Sequence, residues 1–380
     1  MNDVFILGAK RTPIGSFLGA LSDKAAPELG ARAIEAAAAD SGVDTAAIDE
    51  VLMGCVIGAG VKQAPARQAM RLAGIPDAVG ATTVNKVCAS GMKCAMLGTD
   101  LIRAGSASCV VAGGMESMSN APYLLANARR GHRMGHRETA DAMFVDGLED
   151  AETGASMGSF AQTTADAHQI TREDMDAFAI SSVTKALRAM DGGDLHREIA
   201  PFGDLREDEQ PRRSRVDRIP TLRPAFARDG TITAANASSI SDGASALVLG
   251  DETAGDQPLA RVVGHATHSI HPSDFTIAPV GAIERLLARV GWSKQEVDLF
   301  EINEAFAMVT MLAISELGLD ADRVNVYGGA CAQGHPIGST GSRLLVTLAH
   351  ALAATGGSKG VASLCIGGGE ATAMAIERVS

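Results

Sequence analysis

The sequence predicts an α/β fold made of two similar halves with a further region inserted between them. Three observations carry this expectation. Apolar strands such as residues 50–56 and 108–112 alternate with alanine- and leucine-rich helical stretches, the order that builds a largely parallel sheet. One arrangement then occurs twice: strand, small-residue elbow, helix, strand, glycine run. Its first copy runs through Cys88 to Gly113-Gly114-Met115-Glu116, and its second through His335 to Gly367-Gly368-Gly369-Glu370. Between the copies, from about 120 to 241, the chain is rich in charge, methionine and turn residues. The expected units are residues 1–119, completed by a strand at 243–257, an insertion at 120–242, and residues 258–380.

Taken in order, residues 4–7 read as a buried strand, followed by a loop at Arg11-Thr12-Pro13. Residues 27–39 form an alanine-rich helix that stops at Ser41-Gly42, where glycine favours a helix end. The strand at 50–56 leads through a glycine-rich loop to a helix at 63–72. A β-branched run reaching Val84 breaks at the small residues around Cys88. Met92, Met96, Leu97, Leu101 and Ile102 then recur at helical spacing. In the insertion, helices are expected at 163–167 and 172–190, the second opened by Thr171 and Asp174 as in a capping box. Strand texture resumes at 244–249, and a new unit starts near Leu259. Residues 297–302 repeat the strand at 50–56, and a strand at Val324-Asn325-Val326-Tyr327 leads toward His335. A helix through Leu345, Leu348 and Leu352 and a strand at 361–366 complete the chain.

Composition narrows the function. The chain has 380 residues, 46% of them hydrophobic but only 3% aromatic, which suits close-packed layers of helix and sheet. Its net charge of −12 argues against nucleic acid or an anionic membrane as partner, so an anionic small ligand needs a local basic patch. Two clusters supply one: Arg129-Arg130-Gly131-His132-Arg133 and Pro211-Arg212-Arg213-Ser214-Arg215. Both also fit an ordinary solvated face. The six cysteines form no CxxC pair and read as reduced thiols. The start of the chain is too short and acidic for a signal peptide, and no run has the length of a membrane span. The expectation is a cytoplasmic enzyme.

Four residues stand where chemistry is expected. Cys88 lies at the start of a helix, whose unpaired amides and dipole favour a thiolate. His335, between Gly334 and Pro336, is pushed out of helical conformation and can take a proton from Cys88 if the pseudo-two-fold axis joins the elbows. Cys365 ends a strand before three glycines whose amides can face an oxyanion, and it is read as the repeat's counterpart of Cys88. Asn303 follows the strand at 297–302 and either holds a water or caps the next helix. A buried thiol, a turn histidine and strand-end packing are the plain alternatives for the first three.

Together these residues make the chain resemble the thiolase family over nearly its whole length. The matches include Arg11-Thr12-Pro13, Asn85 through Gly91, and Thr233-Ala234-Ala235-Asn236-Ala237-Ser238. They continue with Ser241-Asp242-Gly243-Ala244, Asn303-Glu304-Ala305-Phe306, Gly334-His335-Pro336-Ile337-Gly338, and Cys365-Ile366-Gly367-Gly368-Gly369. The resemblance implies a five-layered αβαβα thiolase fold whose insertion is a loop domain holding coenzyme A. It implies that Cys88 is acylated, that His335 activates it, and that Cys365 exchanges the proton of the second acyl group or of the leaving thiol. Asn303, through a water, and His335 would bind one thioester oxygen, and the amides of Cys88 and Gly367 the other. Arg212, Phe226 and Ser238 would meet the phosphates, tunnel wall and pantetheine of coenzyme A. Met157, Ala234, Ala305 and Phe306 would complete the substrate site. Coenzyme A would come and go as substrate and product, with no permanently bound cofactor and no metal, and the chain would form a homodimer or homotetramer.

Two stretches depart from the short-chain pattern of that family: Ser156 stands where histidine is usual, and Ser273-Asp274-Phe275-Thr276-Ile277 replaces a stretch carrying Met-Gly. Both fall near the expected acyl pocket. A serine hydrolase reading of Gly154-Ala155-Ser156-Met157-Gly158 fails because the residues ahead are acidic and turn-like rather than a strand. A metal site at His265, His268 and His271, or at His132 and His136, lacks even ligand spacing and a close acid. A non-catalytic acyl-coenzyme A binder of the same fold would be expected to have lost a reactive residue. A decarboxylating condensing enzyme would be expected to carry histidine or asparagine in place of Cys365.

Overall fold

The computed structural model describes residues 2–255 and 257–379; Met1, Asp256 and Ser380 lie outside. The first half runs β1 (Phe5–Arg11), β2 (Gly15–Ser16), α1 (Ala26–Ser41), β3 (Glu50–Gly54), α2 (Pro65–Leu72), β4 (Gly80–Val84), α3 (Ser90–Arg103) and β5 (Cys109–Ser117). The insertion carries the short pair β6 (Tyr123–Leu124) and β7 (Ala140–Asp141), then α4 (Met157–Ala167), α5 (Arg172–Gly192) and α6 (Glu209–Arg213). The chain returns through β8 (Ser241–Gly250), β9 (Ala260–Ser269), α7 (Ala278–Val290), β10 (Leu299–Ile302) and α8 (Ala307–Leu317). It ends with α9 (Ala330–Gln333), α10 (Ile337–Thr355), β11 (Lys359–Ile366) and β12 (Glu370–Arg378).

The strands lie in the order β10-β11-β12-β9-β1-β8-β5-β3-β4, with β2 on β8. The duplication is visible in that order. β3, β5, β8 and β1 in one half correspond to β10, β11, β12 and β9 in the other, and the halves meet where Phe5 and Ile6 pair with Arg261 and Ala260. The sheet is mixed, which corrects the expectation of a largely parallel one. Strands linked by helical crossovers are parallel, as β3 is to β4 and β5. β12 instead turns straight back from β11 through Gly367–Gly369, and β8 returns from β5 after the insertion, so both run antiparallel. The insertion therefore occupies the place where the second half needs three glycines.

Helices α1 and α2 cover one face of the first sheet half with Leu29, Ala33, Ile34 and Met70 against Val51, Met53, Val111 and Val248. Helix α7 covers the outer face of the second half with Ala282, Ile283 and Leu286 on Phe300, Val361 and Ala373. Between the halves lie α3 and α10, whose Met92, Met96, Ile102, Leu344, Leu348 and Leu352 pack between Val110, Leu247 and Leu249 on one side and Leu364, Met374 and Ile376 on the other. Each such side chain removed from water contributes about 1.5–3 kcal/mol. The result is five layers with two helices at the centre.

Two strand expectations change. The strand read at 108–112 continues through Gly113 and Gly114 to Ser117, because β8 pairs with it along its whole length. The strand expected at Val324–Tyr327, the counterpart of β4, shrinks to a single bridge between Phe300 and Val324. Asn325 there adopts φ 48° and spends its side chain on both backbone groups of Ile302, at 2.8 Å each, so the chain turns. In the insertion the helix expected at 163–167 begins earlier, at Met157, because Ser156 caps it by accepting from Ser159 N–H. Thr171 caps α5 as its spacing foretold.

The insertion is anchored by charge. Arg11, fully buried on β1, donates to Glu198 at 2.6 Å and to both oxygens of Asp208 at 2.7 and 3.0 Å. A buried cation of this kind persists only when such partners replace its water.

Candidate active site

Cys88 sits on a tight turn between β4 and α3. Asn85 Oδ1 accepts the N–H of Val87 at 3.0 Å, and Ser90 Oγ accepts from Lys86 N–H at 2.8 Å while donating to Val87 O at 2.7 Å. Val87 is thereby held at φ 47°, a left-handed conformation that a β-branched residue adopts only under constraint. Lys86 is further tied to Glu370 of the opposite half.

His335 occupies the matching turn before α10, and so it, rather than Cys365, is the counterpart of Cys88; Cys365 lies at the end of β11, the strand that matches β5. Gly334 precedes His335 at φ 104°, where a Cβ would overlap Ser241 Oγ. Small residues let the two elbows approach. A Cβ on Gly91 would stand 2.8 Å from Ser342 N and 3.1 Å from Gly338 O, and one on Gly114 would overlap Gly338 O. The first turns of α3 and α10 thus cross almost backbone to backbone.

The imidazole is oriented by one hydroxyl. His335 Nδ1 lies 2.6 Å from Thr340 Oγ1, which itself donates to Pro336 O at 3.0 Å. Having spent its proton, that hydroxyl accepts from Nδ1–H, which leaves the lone pair on Nε2. Nε2 is buried and has no partner among the described residues. Burial, reinforced by the charge of Arg343, pushes the His335 pKa down to about 3, so the ring is neutral. Burial also pushes the Cys88 thiol up to about 11, partly offset by hydrogen bonds from the backbone N–H of Gly367 and of Cys88 itself. Burial thus opposes the thiolate that the helix start favours. The half-buried sulfur and the imidazole line the same cavity.

Cys365 is fully buried against Met157, Phe275, Ala305 and Phe306, and burial with the nearby Cys88 sulfur raises its pKa well above the ordinary value. Asn303 is fully buried too. Its N–H donates to Ser363 O at 3.0 Å, while neither side-chain amide atom has a partner among the described residues. It does not cap α8, which begins at Ala307 behind Phe306. The turn carrying it is fixed by Glu304, which accepts from Ser182 at 2.7 Å, Asn325 at 2.8 Å and Cys331 N–H at 3.0 Å.

One cavity of about 600 Å³ gathers most of the expected residues. Cys88, His335, Gly367, Met157, Phe226, Ala234, Ser238, Ala305 and Phe306 all line it. Ser156 and Phe275, the two departures from the family pattern, line it as well. Phe226 meets Phe306 edge to face at 6.0 Å and lies flat on Gly158, where a Cβ would strike its ring. Arg212, Cys365 and Asn303 are not on this lining, the last two being buried behind it. The Arg212 guanidinium pairs with Asp191 at 2.7 Å and Glu207 at 3.2 Å, whereas neighbouring Arg213 is on the lining. The histidines weighed as metal ligands diverge: His265 bonds Asp100, His268 packs on Gly281, and His271 caps a turn through Ser273. Sequence reasoning missed Thr340, whose only signal was its place one turn into the helix after His335.

A nucleophilic sulfur, a free imidazole nitrogen, a second buried thiol and a backbone N–H aimed at the first sulfur suit acyl transfer. The comparisons with known proteins point the same way. The family model described as thiolase, N-terminal domain, matches residues 4–253, and that described as thiolase, C-terminal domain, matches residues 256–378. An acetyl-CoA acetyltransferase of Pseudomonas aeruginosa is 46% identical, and one of Escherichia coli 44%, each alignment covering 100% of both chains. The crystal structure of Acat5 thiolase from Ascaris suum in complex with coenzyme A is 42% identical. It superposes with a TM-score of 0.95 over 99% of this chain and 100% of that one.

Proposed function

The chain belongs to the thiolase family, and from that premise we propose that it carries acetyl groups between coenzyme A thioesters on the sulfur of Cys88. The enzyme is an acyltransferase that makes or cleaves 3-oxoacyl thioesters by Claisen chemistry. The observation that carries the site assignment is the pairing of elbows: Cys88, Gly367 and His335 line one cavity, and among the described residues Nε2 of His335 has no partner there.

In the first step the sulfur of Cys88 attacks the thioester carbonyl as its proton passes to His335 Nε2. The carbonyl oxygen is held by the N–H groups of Cys88 and Gly367. The carbon–sulfur bond to coenzyme A breaks, and the leaving thiolate takes the proton of Cys365. Cys365, now a thiolate, removes an α-proton from a second acetyl thioester. The enolate oxygen is stabilised by protonated His335 and by a water held on Asn303. The carbanion attacks the acyl carbon on Cys88, a carbon–carbon bond forms as the carbon–sulfur bond breaks, and Cys88 recovers its proton from His335. Charges and protons balance over the cycle.

Residues 120–242 act as the loop domain over the coenzyme A site; Met157, Phe226, Ala234 and Ser238 from it and Ala305 and Phe306 from the second half wall that site, with Arg212 beside Arg213 at the phosphates. Coenzyme A serves as substrate and product, not as a resident cofactor. The edge strand β4, with Thr82 and Thr83 exposed, supports assembly into a homodimer or homotetramer. Among the described residues no helix is long and apolar enough to cross a membrane, in keeping with a cytoplasmic place of work.

Peptide mapping after incubation with acetyl-coenzyme A tests the assignment. Cys88 should carry the acetyl group, and Cys88→Ala should carry none. Cys365→Ala should still acylate, yet lose turnover and the exchange of acetyl-coenzyme A methyl protons with deuterated water. Acetylation chiefly at another cysteine, or near wild-type exchange by Cys365→Ala, would refute these roles.

A further inference from the structure

Glu116 is fully buried near the end of β5, and the steps above do not use it. Its carboxylate collects donors from two places that the sequence holds far apart. Oε2 accepts the N–H of Val56 at 3.0 Å and of Gly338 at 2.9 Å; Oε1 accepts the N–H of Ile57 at 3.1 Å and faces Cys55 Sγ at 3.9 Å. Each contact leads toward one elbow. Gly338 is the second residue of α10, so the carboxylate satisfies an amide at that helix's positive end, three residues after His335. The Val56 segment runs beside the chain entering Cys88: Cys55 N–H donates to Val84 O at 3.1 Å, and Asn85 Nδ2 to Val56 O at 3.5 Å. Val56, Ile57 and Ile337 then form one apolar cluster against which Cys88 packs.

We propose that Glu116 is a positioning residue that pins the Cys88 and His335 elbows to each other across the pseudo-two-fold axis. The chemistry favours a carboxylate here over any neutral side chain. Every neighbour is a donor, and only a group with two accepting oxygens can receive three amides without presenting a hydrogen to one of them. Burial pushes its pKa up to about 7, while the hydrogen bonds from Ile57, Val56 and Gly338 and from Cys55 hold it down. The proposal rests on the assignment of Cys88 as the acylated residue.

Glu116→Gln keeps the shape but turns an amide hydrogen pair toward at least one backbone N–H. In the full-length enzyme, kcat should fall on the order of a hundred-fold, as for a misplacement of about 1 Å, while KM for the thioester changes little. A second readout is the pH profile of Cys88 alkylation by iodoacetamide. The groups around that sulfur are Glu116 on β5, Cys365 on β11, His335 before α10 and the Lys86–Glu370 pair. Removing the Glu116 charge should move the profile to lower pH. Should the glutamine variant not fold, Glu116→Asp, which keeps the charge but withdraws the oxygens by one methylene, should show the same kcat loss without the pH shift. A folded glutamine variant with wild-type kcat and pH profile, whatever its melting temperature, would overturn the proposal, as would failure of both variants to fold. Wild-type protein acetylated elsewhere than at Cys88 would instead remove the premise on which the proposal rests.

Discussion

Replacing Thr340 by valine is the sharpest test of how His335 works. The substitution nearly preserves volume inside a fully buried position on the first turn of α10, so the fold has little reason to change. What it removes is the acceptor 2.6 Å from His335 Nδ1. A buried N–H left without its partner costs about 1–3 kcal/mol. The ring can escape that cost by moving its proton to Nε2, but then the base has no lone pair for the Cys88 proton. Either way the penalty falls on the acylation step. At 1.36 kcal/mol per tenfold in rate, it amounts to a slowing of about 5- to 150-fold. The measurement is the single-turnover rate of Cys88 acetylation, with melting temperature as a control. Thr340→Ser, which restores the hydroxyl, should recover most of the rate. Acetylation by Thr340→Val within about twofold of wild type, well short of that range, would show that Thr340 does not set the tautomer.

Two further outcomes follow from the charges. Arg213→Ala should raise KM for acetyl-coenzyme A a few-fold but leave use of acetyl-pantetheine unchanged, and Arg212→Ala should do less, because Arg213, though paired with Glu209 at 3.0 Å, lies on the cavity lining and Arg212 does not; the reverse order in steady-state kinetics would give Arg212 the larger share of the phosphate role. Stability should decline as pH rises from about 6.5 to about 8. Burial on β10 raises Glu301 to about 8 from an ordinary 4.5, so its contribution, complete below 4.5, is lost as pH rises to about 8. His335, lowered to about 3 from 6.5, acts in the opposite sense but only between those two values. Calorimetry across that range should show a falling melting temperature, flattened in Glu301→Gln, and a rising one would contradict the assignment.

Much of the site was legible because its residues sit on turns marked by glycine and proline. Gly91 beside Cys88, and Gly334 and Pro336 beside His335, announce elbows, and the repeat announces that the elbows meet. Cys365 and Asn303 were legible from local pattern only as candidates, the first equally fit for strand-end packing and the second for a helix cap, and their particular roles came with the family resemblance. The strand through Gly113 and Gly114 was hidden for a physical reason. Glycine reads as a breaker in a lone strand, yet here the α10 elbow needs bare backbone against which Gly338 O can lie. Asn325 misled in the other direction: flanked by valines it looked like strand, but its side chain captured the backbone of Ile302. Glu116 and Thr340 carried almost no signal, because a buried acceptor is defined by donors that other segments bring to it.

A tandem duplication ordinarily offers two copies of whatever each half can do. Here the copies surrendered that redundancy. Since each half delivers its elbow to the common axis, the molecule has a single centre with two unlike contributors, sulfur from one repeat and nitrogen from the other. The two loops that close the corresponding strand pairs then diverged under opposite demands. One is three glycines long and sets Gly367 on the cavity lining, and the other is a cover of more than a hundred residues. An exchange of elbows between the halves would therefore put the nucleophile on the half without the long cover, and the symmetry that built the scaffold is the one property its chemistry cannot retain.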